Sequence, residues 1–163
     1  MIYSKRLQTY IPVKVESKSD FIYGFGNFTQ YLVKDGKIPV GKVNVVDTLT
    51  GIEVDYVENM QPQLYSGFGK IADQIEVEHC MKRGLSYFNI ESYAGLNSHA
   101  LHYLRGKRFF SEEAETKVRE IIAKTPKGEK FNTKSLGKIR MYMPLDLIEK
   151  YQAIIKKAPL LLK

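Results

Sequence analysis

The sequence predicts an α/β (α+β) fold, a mixed, mostly antiparallel sheet flanked by helices. Three observations carry this. Residues 28–58 hold three strand-like stretches separated by two turn signals, which reads as an antiparallel meander. After Pro62 the apolar spacing changes from alternation to the helical i, i+3, i+4 pattern. Residues 111–163 then read helix, strand, helix. The 163 residues fit a single domain, with a core over 1–110 and a C-terminal extension over 111–163.

In chain order, residues 7–15 alternate through Leu7, Thr9, Ile11, Val13 and Val15 and read as a strand, with Pro12 near an edge position. Residues 16–27 read as a loop or short helix. Ser17, Ser19 and Asp20 offer an N-cap there before the aromatic, Gly-rich run through Phe21, Tyr23 and Phe25. Residues 28–33 form a short strand, Asp35-Gly36 a hairpin turn, and residues 38–48 a Val-rich second strand. After the turn at 48–51, residues 52–58 alternate, with Ile52, Val54 and Tyr56 on one face and Glu53 and Asp55 on the other. A loop over 63–69 leads into a helix to Arg83, whose inward stripe is Phe68, Ile71, Ala72, Ile75 and His79. Lys82 and Arg83 suit its last turn and Gly84 its end. Residues 85–92 read as a strand and 97–105 as a helix. Ser111 caps a helix to Lys124, with Glu112, Glu113 and Glu115 in its first turn and Ala114, Val118, Ile121 and Ile122 inward. Residues 138–143 read as a strand. Pro144 opens a last helix to Lys157, with Leu145, Ile148, Tyr151, Ile154 and Ile155 inward.

Composition narrows the function classes. At 44% hydrophobic and 26% charged residues, fibrous, collagen-like and fully disordered chains are excluded. One cysteine cannot form an internal disulfide, and three scattered histidines give no metal-ligand spacing, so no metal is expected. No apolar run approaches the ~20 residues of a membrane span, and Met1-Ile2-Tyr3-Ser4-Lys5-Arg6 is unlike a signal peptide. The expectation is a cytoplasmic protein without membrane contact. The formal net charge is +7, and residues 111–163 hold 12 Lys+Arg against 7 Asp+Glu. That balance favours a phosphate-bearing partner.

The candidate site is Ser66-Gly67-Phe68-Gly69-Lys70. Two glycines admit close approach of a ligand to the backbone. The first N–H groups of the following helix suit an anion such as a pyrophosphate. Standing alone, such a pair is equally a plain tight turn into a helix.

Its surroundings add to it. Met60-x-Pro62, the Ser66–Gly69 loop, the helix closing on Arg83-Gly84 and the strand over 85–92 follow in order. Asn97-x-x-Ala100-Leu101-x-Tyr103-Leu104-x-x-x-Arg108-Phe109 comes next. Residues 60–109 in this order and spacing resemble the GNAT superfamily, the acyl-CoA-dependent N-acyltransferases. The resemblance implies a sheet splayed between its fourth and fifth strands. It further implies acetyl-CoA or another acyl-CoA as co-substrate, an amine acceptor that is a small molecule or a protein, and direct transfer in a ternary complex. The family's pyrophosphate loop falls on Ser66, Gly67, Phe68 and Gly69, with Lys70 beside it. Asn97 then binds the pantetheine arm or caps its helix, and Arg105 contacts a phosphate. Glu53, Asp55 or Glu58 serves as general base and Tyr103 as general acid. Three positions depart from the pattern: Leu64 stands where the loop usually begins with Gln or Arg, Leu104 where the closing helix usually has Tyr, and Arg108 where a Gly usually precedes Phe109.

Each candidate also has a plainer reading. The acidic residues fit a solvated strand face, Tyr103 fits packing, and Lys70, Arg105, Lys107 and Arg108 fit an ordinary charged surface. Cys80 reads as a buried small hydrophobe, and His79 and His102 as packed or solvated. Two alternatives to an enzyme stay open. One is a GNAT-like protein that binds CoA or a macromolecular partner without catalysis. The other, weaker, is a nucleic-acid-binding protein using Lys124, Lys127, Lys130, Lys134, Lys138 and Arg140, with Phe131 and Tyr142 interleaved. The 111–163 extension is left to cover the acceptor groove, extend the sheet or make a homodimer contact.

Overall fold

The computed structural model describes residues 1–24 and 26–161. Phe25, part of the aromatic run above, lies outside them. The chain divides into two compact units: Met1–Ile90 together with the chain from Glu149 onward, and Glu91–Ile148.

The first unit opens with short strands β1 (Ile2–Ser4) and β2 (Thr9–Ile11), then β3 (Lys14–Ile22), β4 (Gly26–Asp35), β5 (Ile38–Asp47) and β6 (Gly51–Asn59). Strand β7 (Tyr65–Ser66) precedes helix α1 (Phe68–Lys82). The strands form two antiparallel ladders, β2-β1-β7 and β3-β4-β5-β6. Gly36 takes a left-handed φ of 57° in the tight turn between β4 and β5, as the Asp35-Gly36 signal predicts. The core lies between this ladder and α1, built on Val33, Val43, Val45, Ile52 and Val54 from the strands and Phe68, Ile71, Ala72 and Ile75 from the helix.

Three readings of this unit need correction. The strand expected over 7–15 breaks at Pro12-Val13, and Leu7 sits in a turn. The loop or short helix expected over 16–27 is strand β3, paired with β4 from Lys14↔Lys34 to Ile22↔Gly26. Its polar residues show no apolar alternation because backbone pairing, rather than burial of a face, holds it; its side chains are almost all exposed. The alternation expected through 52–58 is interrupted. Val45 pairs with Val54 but Asn44 with Tyr56, so Asp55 is an extra, bulged residue. The bulge moves Tyr56 off the face of Ile52 and Val54, and it becomes exposed. It also brings Glu53, Tyr56 and Glu58 onto one face, opposite Val46, Asn44 and Lys42 respectively.

The strand expected over 85–92 is β8 (Asn89–Ala94), which begins in the first unit and runs into the second. There follow α2 (His99–Arg105), β9 (Arg108–Phe109), α3 (Glu112–Lys124), a 3₁₀ turn at Lys134–Leu136, β10 (Ile139–Tyr142) and α4 (Leu145–Lys157). In the second unit β10 pairs antiparallel with both β8 and β9. Ala94, Ala100, Phe109, Val118 and Met141 make its core, with Tyr103, Ile122, Phe131, Leu136 and Ile139 packed around them. Ser111 Oγ accepts the backbone N–H of Ala114, the cap expected from the sequence. Asn97 does not cap α2. Ser98 holds the N-cap position, and the Asn97 side-chain oxygen accepts the backbone N–H of Thr133 at 3.2 Å. On α4, Ile148, Tyr151 and Ile155 are buried, whereas Leu145 is 61% exposed and Leu147 takes the inward place.

Candidate functional site

The site is built at the N-terminus of α1. The loop before it is tied down at several points. Met60 N–H donates to Val40 O, Gln61 N–H to Asn59 Oδ1, and Tyr65 N–H to Gln61 O. The Tyr65 hydroxyl, buried in that loop, donates to Asp35 Oδ2 at 2.7 Å. The N-terminal segment clamps the loop from the other side. Tyr3 and Ser4 pair with Ser66 and Tyr65, Lys5 N–H donates to Leu64 O, and Lys5 Nζ to Pro62 O at 2.8 Å. Gly67 then enters the helix with φ 86°.

The helix end is left open in three respects. No side chain caps it, its first turn holds no acid, and a Cβ placed on Gly67 would meet nothing within 4 Å. By contrast α3 has the Ser111 cap and three glutamates in its first turn. Both features compensate the N–H groups and the positive end of the dipole, and α1 lacks both. Phe68, buried to 3%, fixes the helix start: a Cβ on Gly41 would lie 2.5 Å from its ring. A cavity of about 330 Å³ opens here, lined by Met1, Ile2, Tyr3, Tyr10, Ser66, Gly67 and Lys70. Tyr3 and Tyr10 meet edge to face across β1 and β2, with ring centroids 5.3 Å apart. Neither tyrosine was singled out in the sequence, because they reach the glycine loop through strand pairing rather than sequence proximity.

The other candidates fall as follows. Glu53 is exposed on β6. Glu58, half-buried on the same face, pairs with Lys42 Nζ at 3.5 Å. Lys42 also lies over the Tyr56 ring, and the Asn44 side-chain oxygen, buried on that face, has no hydrogen-bond partner. In the second unit, Tyr103 is half-buried against the core with the Arg108 guanidinium 4.4 Å from its ring centre. Arg105 donates to His102 Nδ1 at 2.8 Å. The structure therefore brings Ser66, Gly67 and Lys70 to one cavity and Glu53 and Glu58 to one strand face.

The C-terminal half of α1 carries a separate polar cluster. His79 Nε2 donates to Asp47 Oδ1 at 2.6 Å, and the Tyr31 hydroxyl meets His79 Nδ1 at 2.6 Å. Burial, and then the nearby Asp47 charge, holds the Tyr31 hydroxyl well above the usual tyrosine range. Arg83 bonds Asp47 Oδ2 and the carbonyls of Gly51 and Thr48, joining the helix end to the β5–β6 turn. Cys80 is buried, and burial pushes its thiol up to about 12. This agrees with an inert core residue. Among the described residues no group of three or more His, Cys, Asp or Glu is arranged to hold a metal ion, and no helix is long and apolar enough to cross a membrane.

No family model and no curated protein matches the sequence. Solved structures do match. An IAA acetyltransferase from Bacillus cereus is 20% identical, with TM-score 0.53, and the match covers 82% of this chain and 100% of that one. An acetyltransferase from Bacillus subtilis, solved in complex with CoA, is 17% identical, with TM-score 0.52, and the match covers 82% and 99%. The chain has the fold of the GNAT acetyltransferases, at a sequence distance that makes it divergent from these two.

Proposed function

We propose that the protein is an acyl-CoA-dependent N-acyltransferase that moves an acetyl or other acyl group directly to an amine. The observation that carries this is the uncapped, acid-free start of α1 behind Gly67, opening on a cavity with Lys70, in a chain of GNAT fold. Backbone N–H groups along Ser66–Gly69 and the Lys70 ammonium would hold the pyrophosphate, a fit to the open space at Gly67. Tyr10, exposed on the cavity wall, offers a ring face to the adenine.

The chemistry asks little covalent work of the protein. The amine nitrogen attacks the thioester carbonyl, the carbon–sulfur bond breaks, and the nitrogen gives up a proton while the thiolate takes one. Glu58 is the favoured base. It sits past the β6 bulge beside the unpaired Asn44 oxygen, where an ammonium or amine would find acceptors. Glu53 shares that face and is the second candidate. Tyr103 as acid and Arg105 as a phosphate contact rest on the family resemblance. Asn97 has its side-chain oxygen committed to Thr133, so only its amide nitrogen side is left to offer a pantetheine arm.

The test follows CoA thiol release from acetyl-CoA across a panel of primary amines. Turnover is expected on at least one. Glu58→Gln should then lower kcat by about 10²- to 10⁴-fold at unchanged acetyl-CoA affinity. The non-catalytic alternative draws on Leu64 and on the exposed Leu104, and it predicts CoA binding with no turnover on any amine.

A further inference from the structure

The second unit carries a set of side chains for which acyl transfer has no use. Its ladder β8-β10-β9 packs one face, through Ala94, Met141 and Phe109, against α2 and α3. The alternate residues point the other way. They are Glu91 and Tyr93 on β8, Arg140 and Tyr142 on β10 with Lys138 just before that strand, and Phe110 just after β9, whereas the Arg108 guanidinium turns back over the Tyr103 ring of α2. Register places Tyr93 opposite Arg140, and Tyr142 opposite both Glu91 and Arg108. The Phe110 backbone bonds to Arg140.

We infer that this face is a stacking platform for single-stranded nucleic acid. It presents three aromatic rings on neighbouring strands. Tyr93 is 44% and Phe110 51% exposed, and Tyr142 lies beside Phe110 with centroids 4.8 Å apart. Cations border them: Lys138 Nζ is 4.5 Å from the Tyr93 ring centre and Arg140 Cζ 5.0 Å from that of Phe110. Adjacent strands lie about 4.8 Å apart, so Tyr93 and Phe110, with β10 between them, stand roughly 10 Å apart. Two to three splayed nucleotides span that distance, each base having a π-face to stack whatever its sequence.

Charge selects the occupant. Glu91 is the one acid on this face among the described residues, and it is already paired with Arg140, so Lys138 supplies the excess positive charge there. Residues 91–148 hold 11 Lys+Arg against 7 Asp+Glu, and four of those acids lie on α3. An acidic backbone therefore meets a net positive surface, and bases meet rings. The sequence offered only Phe131 and Tyr142 as interleaved aromatics. The fold instead places Phe131 against the core and supplies Tyr93 from β8 and Phe110 from just after β9, both more than 20 residues earlier in the sequence.

Fluorescence anisotropy with labelled oligo(dT) and oligo(U) of about ten nucleotides, and a duplex of similar length, tests this on the full chain. Single strands are expected to bind more tightly than the duplex. Tyr93→Ala and Phe110→Ala should each weaken binding by roughly 5- to 100-fold. The slope of log affinity against log salt should be about −1.4, roughly −0.7 for each of two neutralised phosphates, and Lys138→Ala should make it shallower by one such step. Circular dichroism reports the folding of each variant. Should Phe110→Ala fail to fold, Tyr93→Ala and Lys138→Ala carry the test. The inference is overturned by any of three results: no binding at about 100 µM protein in low salt, duplex bound as tightly as single strand, or folded ring variants that keep wild-type affinity. Displacement of the oligonucleotide by an equal charge of polyglutamate would also overturn it, in favour of an acidic protein segment as occupant.

Discussion

At the scale of single residues, one glycine and two buried weak acids, Cys80 and Tyr31, set conditions on the fold. Gly51 has no positive φ; what it needs is room. A Cβ there would lie 1.8 Å from the Asn89 carbonyl oxygen, a backbone atom that cannot swing aside. Gly51→Ala should therefore destabilise the protein by at least about 1–3 kcal/mol, read as a fall in the urea midpoint at constant slope. Cys80 and Tyr31 give a pH signature. Burial raises Cys80 from 9.0 to about 12, and raises Tyr31 above its ordinary 10.0. Each stays protonated in the fold while the unfolded chain releases its proton. The stability they contribute is thus fully present below about pH 9 and falls as pH rises toward 12. Urea titrations between those limits should show the midpoint dropping, and Cys80→Ala should flatten part of that drop. The candidate site residues divide along the same line of local and non-local cause. Gly67, Phe68, Gly69 and Lys70 were legible because a glycine pair before a helical period is a local signal. Tyr3, Tyr10 and Asn44 were not, since only strand register brings them to the cavity or to the face of Glu58.

At the scale of elements, helix α1 joins the first unit together. Most of its residues are buried, including Asp73, Glu76 and Glu78, so it reads as an inner helix rather than an amphipathic surface one. Its carboxylates are tied by chain segments far off in sequence: Asp73 accepts from the Tyr151 hydroxyl of α4, and Glu78 from the backbone N–H groups of Leu160 and Leu161 at 2.9 and 2.8 Å. Glu78→Ala should leave both donors without that acceptor and cost about 1–3 kcal/mol. Hydrogen exchange should report it directly, as lost protection at the Leu160 and Leu161 amides. The helical period and the Asp35-Gly36 turn made α1 and the β4–β5 hairpin readable from sequence. Strand β3 was not readable, because residues 16–20 are polar on both faces and its partner, β4, is what makes it a strand. The β6 bulge escaped for a related reason. Alternation in sequence assumes an unbroken ladder, and one extra residue at Asp55 inverts every side chain beyond it.

At the scale of the whole molecule, the net charge of +7 resolves into two uses. In the first unit the proposed anion site would rest on backbone N–H groups and Lys70, and the first turn of α1 holds no acid to oppose it. In the second unit the basic excess borders exposed rings on an open sheet face. The fold was legible as a class because glycine loop, helix, strand and helix follow in order over 60–109, each marked by a local signal. The face that Glu53, Tyr56 and Glu58 share, proposed to meet the amine, was not legible, because the bulge that forms it has no local mark in the sequence. The most direct measurement is isothermal titration of the full chain with acetyl-CoA and with CoA. The account predicts one site per chain, weakened roughly tenfold or more by Lys70→Glu, which places an acid at the helix start where an anion should bind. Absence of binding at millimolar acetyl-CoA, or binding that Lys70→Glu leaves unchanged, would contradict it.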